Sequence, residues 1–284
     1  MTRTQRVLVI GATGHVGGQV VAQLAPTGVA VRALVRDPAA ASLPAGVEIA
    51  HGDLGSPDTL AAALDRVDSV YMTWPMLSAD VADSVVEVIA EHARRIVLLS
   101  SAAVRDDLVE QDNPIGRAHA IIEKPLRESG LEWTFLRPHG FATLTLEWAP
   151  RIRTGTVVRG AYGAAAMTLL HEADIAAVAV RALTSDGHAG ARYELTGPAP
   201  LSRVEQVTAI GAALGRPLEW EQITPAQAKS EMEWIAPEYA DMILDGLASM
   251  VEAPGQPTST VRDVTGSPAR TYAQWVDDHI ADFR

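Results

Sequence analysis

Short apolar runs alternate along the first half of the chain with longer stretches whose apolar positions recur every three or four residues. Val7–Ile10, Ala30–Val35, Val47–His51, Ser69–Thr73, Arg95–Ser100 and Glu132–Arg137 read as strands. Val16–Leu24, Pro57–Leu64, Ala79–Ala93 and Ile115–Ser129, which lie between them, read as helices. Strands apolar on both faces, each followed by a helix, predict an α/β fold: a doubly wound parallel sheet covered on each side. Ligands of such sheets bind beyond the carboxyl ends of the strands. That rule gathers Gly11–Gly17, Arg36, Asp53, Thr73–Pro75, Ser100–Ala102 and Pro138–Phe141 on one rim.

After about Trp148 the alternation becomes irregular. Helices Glu172–Leu183, Arg203–Leu214 and Glu238–Val251 mix with short strands around Val157, Tyr193 and Leu218. The expected division is a sheet domain over residues 1–150 and a smaller mixed C-terminal lobe over 151–284, partly interleaved with the sheet. The Pro/Gly/Ser/Thr-rich stretch Pro254–Pro268 reads as a connecting loop before a last helix, Tyr272–Phe283.

Composition narrows the classes. With 48% hydrophobic residues over 284 positions, the chain can bury a substantial core. A net charge of −12 argues against direct nucleic-acid binding and against an anionic membrane surface. Lys124 and Lys229 are the only lysines, and there is no cysteine, so disulfides and thiolate chemistry are excluded. The eight histidines lack zinc-binding spacing: His171-Glu172 begins a metalloprotease-like pattern, but Ile175 stands where its second histidine belongs, so no metal site is expected. A glycine turn interrupts the first apolar run after four residues, which fits neither a signal peptide nor a spanning helix. The expected location is cytoplasmic.

The sharpest chemical signal is Gly11-Ala-Thr13-Gly14-His15-Val16-Gly17, placed between the first strand and the first helix. Gly11 suits a tight turn, Gly14 lets backbone approach a phosphate, and Gly17 lets helix and strand pack closely. The first helical N–H groups then face an anion with the positive end of the macrodipole behind them. The expectation is a Rossmann-type NAD(P) site. The second strand ends Leu34-Val35-Arg36-Asp37. Val35 occupies the place where an acidic residue would hold the ribose of NAD, and Arg36 can fork onto a 2′-phosphate. NADP(H) is therefore preferred over NAD(H), with Asp37 as the competing ribose partner. At the third strand end, Asp53 suits the adenine amino group or, equally, a helix cap, while Leu54 packs on the ring. Thr73, Trp74 and Pro75 close the fourth strand where the chain passes along the cofactor, and Ser100 and Pro138 end the next two.

With these residues in view, the chain resembles the NmrA-like branch of the atypical short-chain dehydrogenase/reductases. The resemblance runs over nearly the whole length. It includes the glycine turn, Leu34–Pro38, Gly52–Leu54, Val97–Ser101, Glu123, Ser129–Pro138, Asp174–Ala176, Tyr193–Gly197 and Leu214–Arg216. It implies an NAD(P)-binding fold in a family that holds both reductases and cofactor-binding regulators. The wider superfamily uses a serine, a tyrosine and a lysine four residues after the tyrosine. Here the residues four past Tyr71, Tyr162, Tyr193, Tyr239 and Tyr272 are Pro75, Ala166, Gly197, Ile243 and Val276. Counted from Glu123, the lysine place falls on His119, the tyrosine place on Ile115 and the serine place on Ala102.

Hydride transfer depends chiefly on placement, because the reduced nicotinamide supplies the reacting atom. His119 and His139 are the candidate catalytic groups, as proton donors or, for His119, as a bond to the nicotinamide ribose. Trp74, Phe141 and Trp148, with Trp234 and Tyr239 farther on, suggest a flat apolar substrate surface. Two readings remain. One is an NADPH-dependent oxidoreductase acting on a small apolar, quinone-like or aromatic carbonyl compound. The other is a non-catalytic NADP(H) sensor working through protein contacts.

Overall fold

The computed structural model describes residues 4–75, 78–232 and 235–284, which fall into two compact units. The first comprises 1–138, 172–195 and 263–266, and the second 139–171, 196–262 and 267–284. Among the described residues, no helix is long and apolar enough to cross a membrane.

In the first unit, β1 (Arg6–Ile10), β2 (Ala30–Val35), β3 (Glu48–His51), β4 (Ser69–Thr73), β5 (Arg95–Leu99) and β6 (Glu132–Pro138) join the strand Ala191–Leu195 in one sheet. The spatial order is β3-β2-β1-β4-β5-β6 and then Ala191–Leu195. Every pairing is parallel, with Val9 opposite Ala33 on one side and Tyr71 on the other. This is the doubly wound architecture expected from the alternation. Side chains of successive strand residues point to opposite faces. Leu8 and Ile10 therefore enter a core with Val70, Met72, Ile96 and Leu98, while Val7 and Val9 are buried on the other face. Helices α1 (His15–Leu24), α2 (Leu60–Ala63), α3 (Ala79–His92) and α4 (Pro114–Glu128) cover the sheet together with Glu172–Thr184. Ala82, Val85, Val86 and Ile89 of α3 and Ile122 and Leu126 of α4 are the apolar stripes that the 3.6-residue spacing predicts.

The strand order switches sides at β1, β2 and β3 being laid down to one side of it and β4 onward to the other. That switch point opens a crevice at the carboxyl end of β1, where this architecture receives ligands.

In the second unit Val157–Gly160 pairs in parallel with Glu219–Gln222, and the short strands Ala166–Met167 and Leu201–Ser202 pair antiparallel. A core of Trp148, Ile152, Val158, Ile210, Trp275 and Phe283 fills this unit, and the buried Tyr272 hydroxyl donates to Thr145 Oγ1 at 2.9 Å.

Three local expectations change. Pro254–Pro268 is not wholly a loop: Thr260–Thr265 forms a helix, with Val261 buried, because one apolar anchor suffices to fix a short turn of helix. The helix expected at Pro57–Leu64 opens as a 3₁₀ turn, Pro57–Thr59, before α2. The last helix is interrupted at His279, where Tyr272–Asp278 gives way to a 3₁₀ turn, Ile280–Phe283.

Candidate functional site

The site begins at the end of β1. Gly11 has φ +88°, a conformation that side chains disfavour, and a Cβ there would lie 2.9 Å from Thr73 Cβ. Its carbonyl accepts the Gly14 N–H at 3.1 Å, closing the turn. A Cβ on Gly17 would approach that same Gly11 oxygen to 2.1 Å, so helix and strand meet at a distance only glycine allows. Gly14 is the N-cap of α1 and provides no side-chain cap, and the first turn holds no acidic residue. The Gly18 N–H bonds Gly14 O at 2.8 Å, which leaves the N–H groups of His15, Val16 and Gly17 at the open helix end. An uncapped, acid-free N-terminus is electrostatically prepared for an anion.

A cleft of about 240 Å3 extends from this turn. Ile10, Gly11 and Thr13 line it from the β1 side, and Leu34, Val35 and Arg36 from the end of β2. Gly52, Asp53 and Leu54 line it from β3, and Thr73 and Pro75 from β4. Gly11, Thr13, Arg36, Asp53, Leu54, Thr73 and Pro75, all assigned to the cofactor from sequence, are thus brought together. Arg36 is exposed on the wall. Its neighbour Asp37 has Oδ1 turned back to accept the Ala39 N–H at 2.9 Å. Asp53 Oδ1 likewise accepts the Gly55 N–H at 2.9 Å, while its own N–H donates to Thr59 Oγ1 at 2.9 Å. The cap of the following 3₁₀ turn is Ser56 rather than Asp53. Thr73 donates to the Tyr71 hydroxyl at 3.2 Å. Tyr71 is fully buried, and that burial pushes its phenol above the usual range, so it stays protonated at neutral pH.

Trp74 sits differently from its neighbours. It is 2% exposed and packs in the sheet core, with its indole Nε1 buried and unpartnered among the described residues. It is not part of the cleft lining.

Beyond the ends of β5 and β6 lies a buried ionic cluster. Glu123, on α4, is 0% exposed. Ser100 Oγ donates to its Oε1 at 2.6 Å, and Arg137 Nε and Nη2 donate to Oε1 and Oε2 at 3.0 and 2.6 Å. Arg137, 3% exposed, also forks onto Asp106 at 2.8 and 2.9 Å. The hydrogen bond from Arg137 holds the Asp106 carboxyl below the usual range. The two carboxylates hold Arg137 charged despite its burial. Ser100, expected at the cofactor, has its hydroxyl on Glu123 and its N–H on Leu136 O at 2.8 Å. Pro138 is buried at the end of β6, its carbonyl accepting the Ala102 N–H at 3.2 Å.

In the sequence Glu123 and Arg137 stand out only as members of family motifs, and Asp106 does not stand out at all. One signal was available: Arg137 sits on the alternation of an apolar strand and must be buried with counter-charges.

His119 lies one turn before Glu123 on α4, 8% exposed, with Nδ1 buried and unpartnered among the described residues. Burial lowers its pKa, and the nearby Glu123 carboxylate offsets that only in part. The imidazole is therefore neutral at neutral pH, better suited to a hydrogen bond than to storing a proton for transfer. His139, Phe141 and Trp148 belong to the second unit: His139 is exposed, the Phe141 backbone bridges Leu170, and Trp148 is 5% exposed. Trp234 lies outside the described residues, and Tyr239 is half-buried.

A family model described as NAD(P)H-binding matches residues 11–186. The chain is 36% identical over 281 residues to a (4-alkanoyl-5-oxo-2,5-dihydrofuran-3-yl)methyl phosphate reductase of Streptomyces griseus, covering 98% of this chain and 99% of the relative. It is also 36% identical over 297 residues to an NAD(P)H azoreductase of Xenophilus azovorans, covering 98% and 99%. Among solved structures it is similar to an NADPH-dependent quinone oxidoreductase from Escherichia coli, with a TM-score of 0.78 and 25% identity over 96% of this chain and 99% of that one.

Proposed function

The chain belongs to the NAD(P)H-binding family, in its NmrA-like, atypical short-chain dehydrogenase/reductase branch, and on that premise of NAD(P)H-dependent oxidoreduction we propose that it takes hydride from NADPH to a small, flat, conjugated acceptor. The observation that carries the NADPH preference is the exposed Arg36 on the cleft wall beside an Asp37 tied back to its own turn. A guanidinium there gains about 1.5–3 kcal/mol from a 2′-phosphate and nothing from a 2′-hydroxyl of the same kind. Arg36→Ala is expected to weaken NADPH binding roughly 10- to 100-fold and leave NADH binding within about twofold, by titration calorimetry. An unchanged preference for NADPH would return the ribose to Asp37.

The acceptor class rests on kinship and on missing machinery. Relatives are named for reducing azo compounds, a furanone phosphate and quinones, all of them conjugated acceptors. Such acceptors take hydride when held correctly over the nicotinamide, and proton delivery is secondary. That matches a chain with no tyrosine–lysine pair. The sequence position of Phe141 assigns it to the apolar body of the substrate, whereas Trp148 is buried in the core of the second unit. His119 is proposed to hold the nicotinamide ribose or the acceptor oxygen by a neutral hydrogen bond, and His139 remains the candidate proton donor.

The direct test follows loss of the reduced-nicotinamide absorbance with a panel of quinones, enals, azo dyes and aromatic ketones. Turnover of any of them supports the reductase. Silence across the panel, with capture of a protein partner that depends on cofactor redox state, would move the assignment to a sensor.

His119 makes two further expectations. His119→Ala should slow turnover while NADPH binding persists; normal turnover would remove it from the site. Its lowered pKa also links folding to pH. Between the depressed native value and the ordinary 6.5, the unfolded chain binds a proton that the folded chain refuses. Stability should therefore be constant above the ordinary value and fall as pH drops below it. His188, lowered by burial and by Arg95 and Arg181, acts in the same direction. Melting curves between about pH 5 and pH 8 should show a shallower acid loss in His119→Gln than in the native protein, without abolishing it.

A further inference from the structure

The second unit holds a cavity of about 220 Å3 that none of the cofactor chemistry uses. Its polar wall carries three arginines, Arg151, Arg159 and Arg203, with the carboxylates of Glu147 and Glu231. Glu231 bridges the first two, accepting Arg151 Nη2 at 2.6 Å and Arg159 Nη2 at 3.0 Å, which leaves the Arg159 Nε buried and unpartnered among the described residues. Arg203 is different. It is 9% exposed, and its guanidinium sits against both indoles of an edge-to-face pair, 5.3 Å from the Trp148 ring and 5.2 Å from the Trp220 ring. Its Nε is buried without an acceptor, and the nearest carboxylate oxygen, on the half-exposed Glu147, is 3.8 Å from Nη2, beyond hydrogen-bond reach.

A guanidinium presents five N–H donors in a rigid fork and cannot shed its charge. Desolvating one without acceptors is costly, and two indole faces offset only part of the charge. Contact with both indoles restricts the guanidinium, holding its fork ready for a planar or tetrahedral oxyanion. The remaining wall is apolar, from Ile223, Leu244 and Leu247. Three arginines against Glu147 and Glu231 give the lining one surplus positive charge.

We propose that this pocket binds the oxyanion group, phosphate or carboxylate, of a small molecule with an apolar body, Arg203 forking onto the oxygens and Arg159 adding a donor. The proposal concerns binding in the second unit and stands whether or not the hydride acceptor has been identified correctly.

The test is calorimetric titration of the full chain with octyl phosphate, octanoate, octanol and inorganic phosphate. Saturable binding of octyl phosphate or octanoate, at least tenfold tighter than octanol and than inorganic phosphate, is expected. Whichever of the two anions binds more tightly identifies the head group. Arg203→Gln should lower that affinity at least tenfold, and Arg203→Lys should restore little, because charge without the fork does not reproduce the geometry. A thermal melt followed by the fluorescence of the tryptophans, of which Trp148, Trp220 and Trp275 lie in this unit, reports that each variant is folded. Should Arg203→Gln fail to fold, Arg159→Gln is the second variant and is expected to weaken the anion several-fold. Octanol binding as tightly as the anions, no saturation by either anion, or unchanged affinity in a folded arginine variant would overturn the proposal.

Discussion

Gly17→Ala is expected to cost the protein about 100-fold in NADPH affinity and to lower its melting temperature. The added methyl would lie 2.1 Å from the Gly11 carbonyl oxygen and 2.7 Å from its carbon, both of them backbone atoms that cannot rotate away. Helix α1 must then move off the β1 turn. The N–H groups of His15 and Val16 move with it, out of line with the diphosphate they are proposed to receive. Losing about 3 kcal/mol of charge-assisted hydrogen bonding corresponds to that factor. The control is Gly14→Ala. Its Cβ would stand 3.4 Å from the same oxygen, an ordinary contact, so the fold is preserved while the methyl projects where phosphate must approach. Calorimetry with NADPH and a thermal melt on each variant separate the two effects. Gly17→Ala should lose binding and stability together, Gly14→Ala binding alone. Native-like affinity in both would remove the glycine turn from the cofactor site.

The second large effect belongs to Glu123. Glu123→Ala leaves Arg137 charged and almost wholly buried, with Asp106 as its remaining hydrogen-bonded carboxylate, and strands the Ser100 hydroxyl. Removing one partner of a buried pair typically destabilises by about 3–5 kcal/mol, and the surviving Asp106 contact places this case near the lower figure. Denaturant unfolding should show that loss. The double variant Glu123→Leu with Arg137→Met should recover most of it, because apolar groups of similar volume carry no desolvation penalty. Equal losses in the single and double variants would mean that packing, rather than an uncompensated charge, sets the cost. Because His119 is held partly by the Glu123 field, Glu123→Ala should also lower the His119 pKa further, visible as a shift of its imidazole resonances on acid titration.

The sequence alone determined the layered core of this protein. Six strands, four of the helices between them and the cofactor turn were legible because burial on a sheet imposes a short-range rule: apolar runs for strands, a three-to-four-residue repeat for helices, glycine where backbones touch. Arg36 and Asp53 were legible for the same reason, since the carboxyl end of a strand has a fixed address in this architecture.

What local pattern could not supply is the pairing of residues far apart in the chain. Ser100, Glu123, Arg137 and Asp106 meet only once β5, β6 and α4 are packed, and nothing in a run such as Arg105-Asp106-Asp107 marks which carboxylate turns inward. The fold likewise decided that Trp74, just past the end of β4, enters the core while Thr73 and Pro75 line the cleft, where the expectation had all three along the cofactor. Arg203 against Trp148 and Trp220 unites residues 55 and 17 positions away along the chain. Secondary structure follows from neighbours along the chain; the electrostatics of a buried charge follow from neighbours in space, and those exist only after folding.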